Sequence, residues 1–152
     1  MTNNIGIITG ITGQDGTYLA QLLLSKGYKV IGIVKDASNI NKSRLEYLSI
    51  ADQILWEQCC LTDRSEVIKL LERHQPSEFY NLAAQSSVFK SYQEPILTLS
   101  FNTLSVATIL ESIRDTDKSI KFYQASSGEM FGNVNKFPIT ENSTLYPVSP
   151  YA

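Results

Sequence analysis

The chain has 152 residues, 43% of them hydrophobic and 18% charged, without a low-complexity run, which suits one ordinary folded domain with a core. Its formal charge is −2 and its 13 Lys and Arg are scattered, so it lacks the basic stripe that nucleic-acid binding requires. No apolar run approaches the roughly 20 residues of a membrane helix, the amino terminus MTNNIGIITG shows no secretory signal, and the adjacent Cys59 and Cys60 cannot readily bridge each other, so a cytoplasmic setting is expected.

Ile5-Gly6-Ile7-Ile8-Thr9 is a short apolar run without helical periodicity and reads as a buried strand. A turn from Gly10 to Gly16 follows, then a helix from Thr17 with Leu19, Leu22 and Leu23 on one face and Gly27 as its stop. Val30–Val34 reads as the second strand, Arg44–Ala51 as a short helix and Ile54-Leu55-Trp56 as the third strand, with Trp56 in the core. Asp63, with Glu66 three residues on, has the capping-box pattern. It opens a helix whose apolar face is Val67, Leu70 and Leu71 and which Pro76 ends. Glu78–Leu82 is a fourth strand, Pro95 precedes a long helix, and Ile120–Tyr123 is a fifth strand before a loop-like stretch to Pro150.

Strands alternate with helices along the whole chain. That pattern predicts right-handed crossovers and a doubly wound parallel α/β sheet, one nucleotide-binding domain over residues 1–152 without an internal linker. Ligands in such sheets bind at the carboxyl ends of the strands, so the segments after Thr9, Val34, Leu82 and Ala125 should line one crevice.

The turn Gly10-Ile11-Thr12-Gly13-Gln14-Asp15-Gly16 has the spacing G-x-x-G-x-x-G between a strand and a helix, the context that gives such a motif meaning. Gly10 permits the tight turn, Gly13 lets backbone approach a pyrophosphate, and Gly16 lets helix and strand pack closely. The amides of the first helical turn then face the anion. At the end of the second strand, Lys35 favours a 2′-phosphate and NADP, whereas Asp36 beside it favours NAD.

After the fifth strand comes Gln124-Ala125-Ser126-Ser127-Gly128-Glu129-Met130-Phe131-Gly132, which puts Ser127 and Glu129 at a strand's carboxyl end; Tyr151 follows in Leu145–Ala152. His74, in the last turn of a helix, reads as a structural or solvated group. Cys59 and Cys60 have no second pair, so no metal site is expected. Asn102 in the long helix either meets the crevice or bonds locally.

The glycine turn, N-L-A-A-Q-S at Asn81–Ser86, S-S-G-E-M-F-G and the closing S-P-Y together resemble the extended short-chain dehydrogenase/reductases. I-T-G-I-T-G-Q-D-G-T-Y-L-A, F-Y-Q-A-S-S-G-E-M-F-G and L-Y-P-V-S-P-Y-A are similar to the GDP-mannose 4,6-dehydratases in particular, and the likeness spans the whole chain. The resemblance implies three catalytic positions, Ser127, Glu129 and Tyr151. It implies cofactor contacts from Gly10–Gly16, Lys35, Cys60, Leu61, Leu82, Ala83, Ala84, Gln85 and Ser86. It makes Ser38–Arg44 a loop toward a neighbouring subunit, hence a homo-oligomer at full length, acting on a nucleotide sugar, with NADP as cofactor and NAD as the alternative. Gly128, Asp36, Cys60 and Ser87 depart from the family's usual residues, which keeps open a related epimerase or reductase, or a non-catalytic dinucleotide-binding module.

The implied reaction is an internal redox dehydration in which Tyr151 takes the proton of the sugar 4-hydroxyl and Glu129 manages the elimination across C5 and C6. A free tyrosine titrates near 10, too high for a base at neutral pH unless cations lower it. The family's lysine, one helical turn beyond Tyr151, has no position in this chain, so the 152 residues resemble the amino-terminal part of the enzyme and are expected to be inactive alone.

Overall fold

A computed structural model describes residues 4–134 and 137–152. The strands are β1 (Ile5–Thr9), β2 (Lys29–Val34), β3 (Ile54–Gln58), β4 (Glu78–Asn81) and β5 (Lys121–Gln124). The helices are α1 (Gln14–Ser25), α2 (Ser43–Tyr47), α3 (Arg64–His74), α4 (Val88–Gln93) and α5 (Pro95–Thr116). All neighbouring strands are parallel, in the order β3-β2-β1-β4-β5. The strand order reverses beside β1, with Thr9 level with Asn81. The chain divides into two compact units, Met1–Ala83 with Ser105–Ala125, and Ala84–Leu104 with Ser126–Ala152.

The first unit carries the sheet. β1 is buried along its whole length, as a central parallel strand covered on both faces must be. Its core joins Ile8, Ile11, Ala20, Leu23, Val30, Leu45 and Ile54. Phe79, fully buried, faces Phe122 with ring centroids 6.1 Å apart. Trp56 packs against this core from the edge strand β3, where it is half-buried rather than enclosed, and Lys42 Nζ lies 5.2 Å from its ring centroid.

α1 begins earlier than the sequence pattern suggested, at Gln14, so Gly16 is inside the helix and the turn is shorter. Gly27, at φ +77°, ends it as expected. The capping box of α3 is only half formed. Asp63 accepts from the amides of Ser65 and Glu66. The Glu66 carboxylate instead accepts from Cys60 N–H at 2.6 Å, while Asp63 N–H is satisfied by the Cys60 carbonyl. His74 is buried beside Val67, Leu70 and Leu71, and its Nε2 lies 2.9 Å from Glu57 Oε1, so its partner is a side chain of β3.

α5 is, by length and composition, long and apolar enough to cross a membrane, although polar residues interrupt its apolar sequence. Within the fold its buried positions include Thr98, Ser105, Thr108, Ile109, Ser112 and Ile113. The hydroxyl of Thr98 returns to the carbonyl of Glu94, just before the helix, and that of Ser112 to the carbonyl of Thr108 within it.

Cys59 is buried and Cys60 exposed, both free. Burial, followed by the negative charge of Glu66, pushes the Cys59 thiol from its ordinary 9.0 up to about 12. A thiol-specific alkylating agent at pH 8 is therefore expected to add one label to the native chain, at Cys60, and two after denaturation, counted by intact mass. The raised value also means that the native state holds the thiol proton longer than the unfolded chain. Stability should then fall as pH rises from about 9 toward 12, an effect absent in Cys59→Ala.

Candidate functional site

Within the first unit, the carboxyl ends of β1, β4 and β5 are joined by side chains. Thr9 Oγ1 donates to Asn81 Oδ1 at 2.6 Å, both residues fully buried. The same hydroxyl oxygen accepts the amides of Leu82 (3.1 Å) and Ala83 (3.0 Å). Asn81 Nδ2 then donates to Gln124 Oε1 at 2.8 Å, and the Asn81 carbonyl accepts from Ala125 N–H. Thr9 and Asn81 both lie within the sequence motifs, where nothing assigns either a task. They bend the exit of β4 over the glycine turn.

That bend explains Gly10. At φ +67° it sits where L side chains are strained, and a Cβ there would lie 2.9 Å from Leu82 and Ala83 backbone atoms. Gly16 is tighter still: its Cβ would lie 2.4 Å from the Gly10 carbonyl oxygen and 2.6 Å from Ile11 Cα. Ile11 is fully buried and reaches over β2, where a Cβ on Gly32 would lie 2.9 Å from Ile11 Cδ1. Of the turn's residues, Ile11 and Gly16 are thus buried, whereas Gly13, Gln14 and Asp15 are exposed. Gly13 stands at the N-cap of α1 with no side chain accepting from the first-turn amides. Those amides and the helix dipole are free to hold an anion.

Around this turn, Lys35 is exposed at the exit of β2. Asp36 Oδ1 accepts from both the amide (2.9 Å) and the hydroxyl (2.7 Å) of Ser38, and those bonds hold its carboxyl below the usual carboxylate range. Arg44, placed by the sequence at the start of a short helix and at the end of a loop directed at a neighbour, donates through Nη1 to the Thr12 carbonyl at 3.2 Å. Cys60 is exposed, while the Leu61 side chain is buried, so Leu61 offers only backbone.

The second unit holds the remaining expected residues. Ser127 Oγ accepts from Glu129 N–H at 3.2 Å and caps a short 3-10 turn, Gly128–Phe131, within the stretch expected to be loop. Because that bond uses the oxygen, the Ser127 hydroxyl proton stays available to a ligand. Glu129 is exposed and Tyr151 half-buried. The turn is tied to the segment that carries Tyr151: Tyr146 N–H donates to the Met130 carbonyl at 2.9 Å. Gly132, at φ +59°, lies so close beneath Tyr146 that a Cβ would be 2.0 Å from its carbonyl oxygen. Tyr92 on α4 donates its hydroxyl to the Val148 carbonyl at 2.8 Å.

Ala84 and Ser86 are exposed in the segment leaving β4, but the carboxamide of Gln85 is fully engaged. Its Nε2 donates to Thr98 Oγ1 and to the Ser87 carbonyl, and its Oε1 accepts from Ser87 N–H. Asn102 bonds to the backbone of Gln85, a residue 17 positions away in the segment that leaves β4.

A family model described as GDP-mannose 4,6 dehydratase matches residues 7–152. The chain belongs to the GDP-mannose 4,6 dehydratase family. It is 40% identical to the GDP-mannose 4,6-dehydratase of Yersinia enterocolitica over 153 residues, which covers 96% of this chain and 41% of the relative. To the human GDP-mannose 4,6 dehydratase it is 39% identical, covering 97% of this chain and 42% of the relative. This family member therefore spans about two fifths of the length of its curated relatives. Among solved structures it is similar to the UDP-glucose 4-epimerase of Thermotoga maritima determined with UDP-glucose, at TM-score 0.83 and 27% identity over 97% of this chain and 46% of that one. The UDP-glucose 4-epimerase of Brucella ovis in complex with NAD has TM-score 0.84 at 22% identity over 97% of this chain and 43% of that one, a likeness of fold.

Proposed function

We propose that this chain is the cofactor-binding part of a nucleotide-sugar 4,6-dehydratase that binds NADP and, at full length, converts GDP-mannose to its 4-keto-6-deoxy product. What carries the reading is the family match across residues 7–152, on a sheet whose uncapped glycine turn stands at the reversal of strand order. A dinucleotide fits that turn. The space at Gly13 and the open amides of the first turn of α1 suit a pyrophosphate, and Gly10 and Gly16 are too crowded for any other residue.

When bound, the nicotinamide supplies redox chemistry, taking a hydride from the sugar and giving one back. The chain's own groups would handle the protons. Ser127 donates its free hydroxyl proton to the sugar's 4-oxygen. Tyr151 takes the 4-hydroxyl proton. The ketone so formed acidifies C5, and Glu129, exposed and carried on a capped turn, takes the C5 proton and delivers it to the departing 6-hydroxyl, which leaves as water; C5 would then regain a proton from solvent as the hydride is given back, and Tyr151 would release to solvent the proton it took.

The preference for NADP is supported by the division of labour at the exit of β2. Asp36 spends Oδ1 on its own turn, which gives the acid a structural task. Lys35 has no carboxylate partner among the described residues. Fluorescence titration should show NADPH bound more tightly than NADH. Lys35→Ala should weaken NADPH about tenfold and leave NADH unchanged, the increment of one exposed charge-assisted contact. Equal affinity of the native chain for both would remove the NADP reading, and no binding of either would remove the cofactor reading.

A further inference from the structure

Resting on the dinucleotide reading above, we propose that Asn102 is a positioning residue for the bound cofactor, acting through the backbone of the segment that leaves β4. Its side chain makes both bonds a carboxamide can make to one peptide residue. Oδ1 accepts from Gln85 N–H at 2.8 Å, and Nδ2 donates to the Gln85 carbonyl at 3.1 Å. The pairing copies a strand-to-strand bridge, with a side chain of α5 standing in for the second strand. It fixes the height and rotation of the Gln85 peptide groups.

The surroundings reinforce the clamp. Gln85 closes a ring with Ser87 through its own carboxamide and reaches Thr98 Oγ1 at 3.0 Å, one helical turn before Asn102 on α5. Thr98 is 1% exposed and its own hydroxyl proton goes to the Glu94 carbonyl at 3.0 Å, so its orientation is set within the helix. Two side chains of one helix therefore hold one loop residue by backbone and side chain together. The residues on either side of Gln85, Ala84 and Ser86, are left exposed. A segment that exits a strand at the strand-order reversal is where doubly wound sheets present backbone to a ligand. Leaving backbone presented while the intervening side chain is tied down is what a site needs when the contact is made by peptide groups, because freezing the loop in advance lowers the entropy cost of binding. Asn102 does not touch the ligand in this account; it acts through Gln85.

The test compares the full 152-residue chain with Asn102→Ala, Asn102→Asp and Ile109→Ala. Asn102→Asp keeps the volume and the acceptor for Gln85 N–H but sets a carboxylate oxygen against the Gln85 carbonyl. Ile109 is a fully buried residue about two turns beyond Asn102 on the same helix that makes none of the clamp's hydrogen bonds, and its truncation destabilises the core. Affinity for NADPH is read by fluorescence well below each variant's melting temperature, and exchange of the amides of residues 84–87 is read by NMR without cofactor. Both Asn102 variants should lose affinity on the order of tenfold and expose the Gln85 amide to exchange. Ile109→Ala should melt earlier yet bind like the native chain. Native affinity in both Asn102 variants, or an equal loss in Ile109→Ala, would overturn the inference by reducing Asn102 to a structural residue. A native chain that bound no dinucleotide would overturn it differently, by removing the cofactor reading beneath it. Should Asn102→Ala fail to fold, Asn102→Asp carries both readouts.

Discussion

Gly16→Ala is expected to destabilise the chain by about 3 kcal/mol and to abolish measurable NADPH binding. The substitution is mild by helix propensity, since alanine in a helix interior is favoured over glycine by about 1 kcal/mol. Geometry outweighs that gain. The added methyl would sit 2.4 Å from the Gly10 carbonyl oxygen and 2.6 Å from Ile11 Cα, both backbone atoms that cannot rotate away. To relieve the overlap, α1 must move off β1 or the glycine turn must open. The first choice loosens Leu23 and Ala20 from the core, and the second displaces the amides proposed to hold the pyrophosphate. Gly128→Ala is the matched control, because nothing lies within 4 Å of a Cβ there and its φ is ordinary. Its midpoint in urea should stay within about 0.5 kcal/mol of the native chain. An unfolding midpoint for Gly16→Ala at or above that of Gly128→Ala would show that helix and strand are not packed this closely.

The contrast between these two glycines shows what could be read from the sequence and what could not. The task of Gly16 follows from spacing, because a strand, a G-x-x-G-x-x-G turn and a helix in succession leave few ways to pack. The five strands and their parallel order follow in the same way from continuous apolar runs such as Ile5–Thr9 separated by helical stripes. α4 was missed because its six residues carry no apolar stripe; Ser87 caps it and Ser91 is its buried position, while Phe89 and Tyr92 point outward. Glu66 has the capping-box spacing, yet a stronger local acceptor need, the Cys60 amide, takes its carboxylate. Spacing cannot rank two nearby donors.

The partners of Thr9, Asn81, Arg44 and Asn102 were illegible for a different reason. Thr9 and Asn81 stand 72 positions apart, and only the register of β1 against β4 makes them neighbours. Buried polar residues are recognisable as such only once their partners are known, since a strand-end threonine reads equally well as a turn residue. The motifs mark the glycines and acids of the proposed site. The side chains that hold those motifs in place are spread along the chain, and each looks unremarkable where it stands.

Thr9→Val is expected to cost about 3–4 kcal/mol, whereas Thr9→Ser should cost about 1. Valine matches threonine in volume and suits a strand at least as well, so packing and propensity predict little change. Hydrogen bonding predicts a large one. Without the hydroxyl, Asn81 Oδ1 loses its donor and the amides of Leu82 and Ala83 lose their shared acceptor, all at a place where Thr9 and Asn81 are fully buried. Each stranded buried group costs about 1–3 kcal/mol, and partial relaxation keeps the sum below full additivity. Serine keeps all three bonds and gives up one methyl. Urea unfolding of the three chains measures the ranking, and exchange of the Leu82 and Ala83 amides localises it: fast in the valine variant, slow in the serine one. A valine variant as stable as serine would mean that the exit of β4 is held over Gly10 by packing alone, and the loss of NADPH affinity expected from its loosening should then be absent as well.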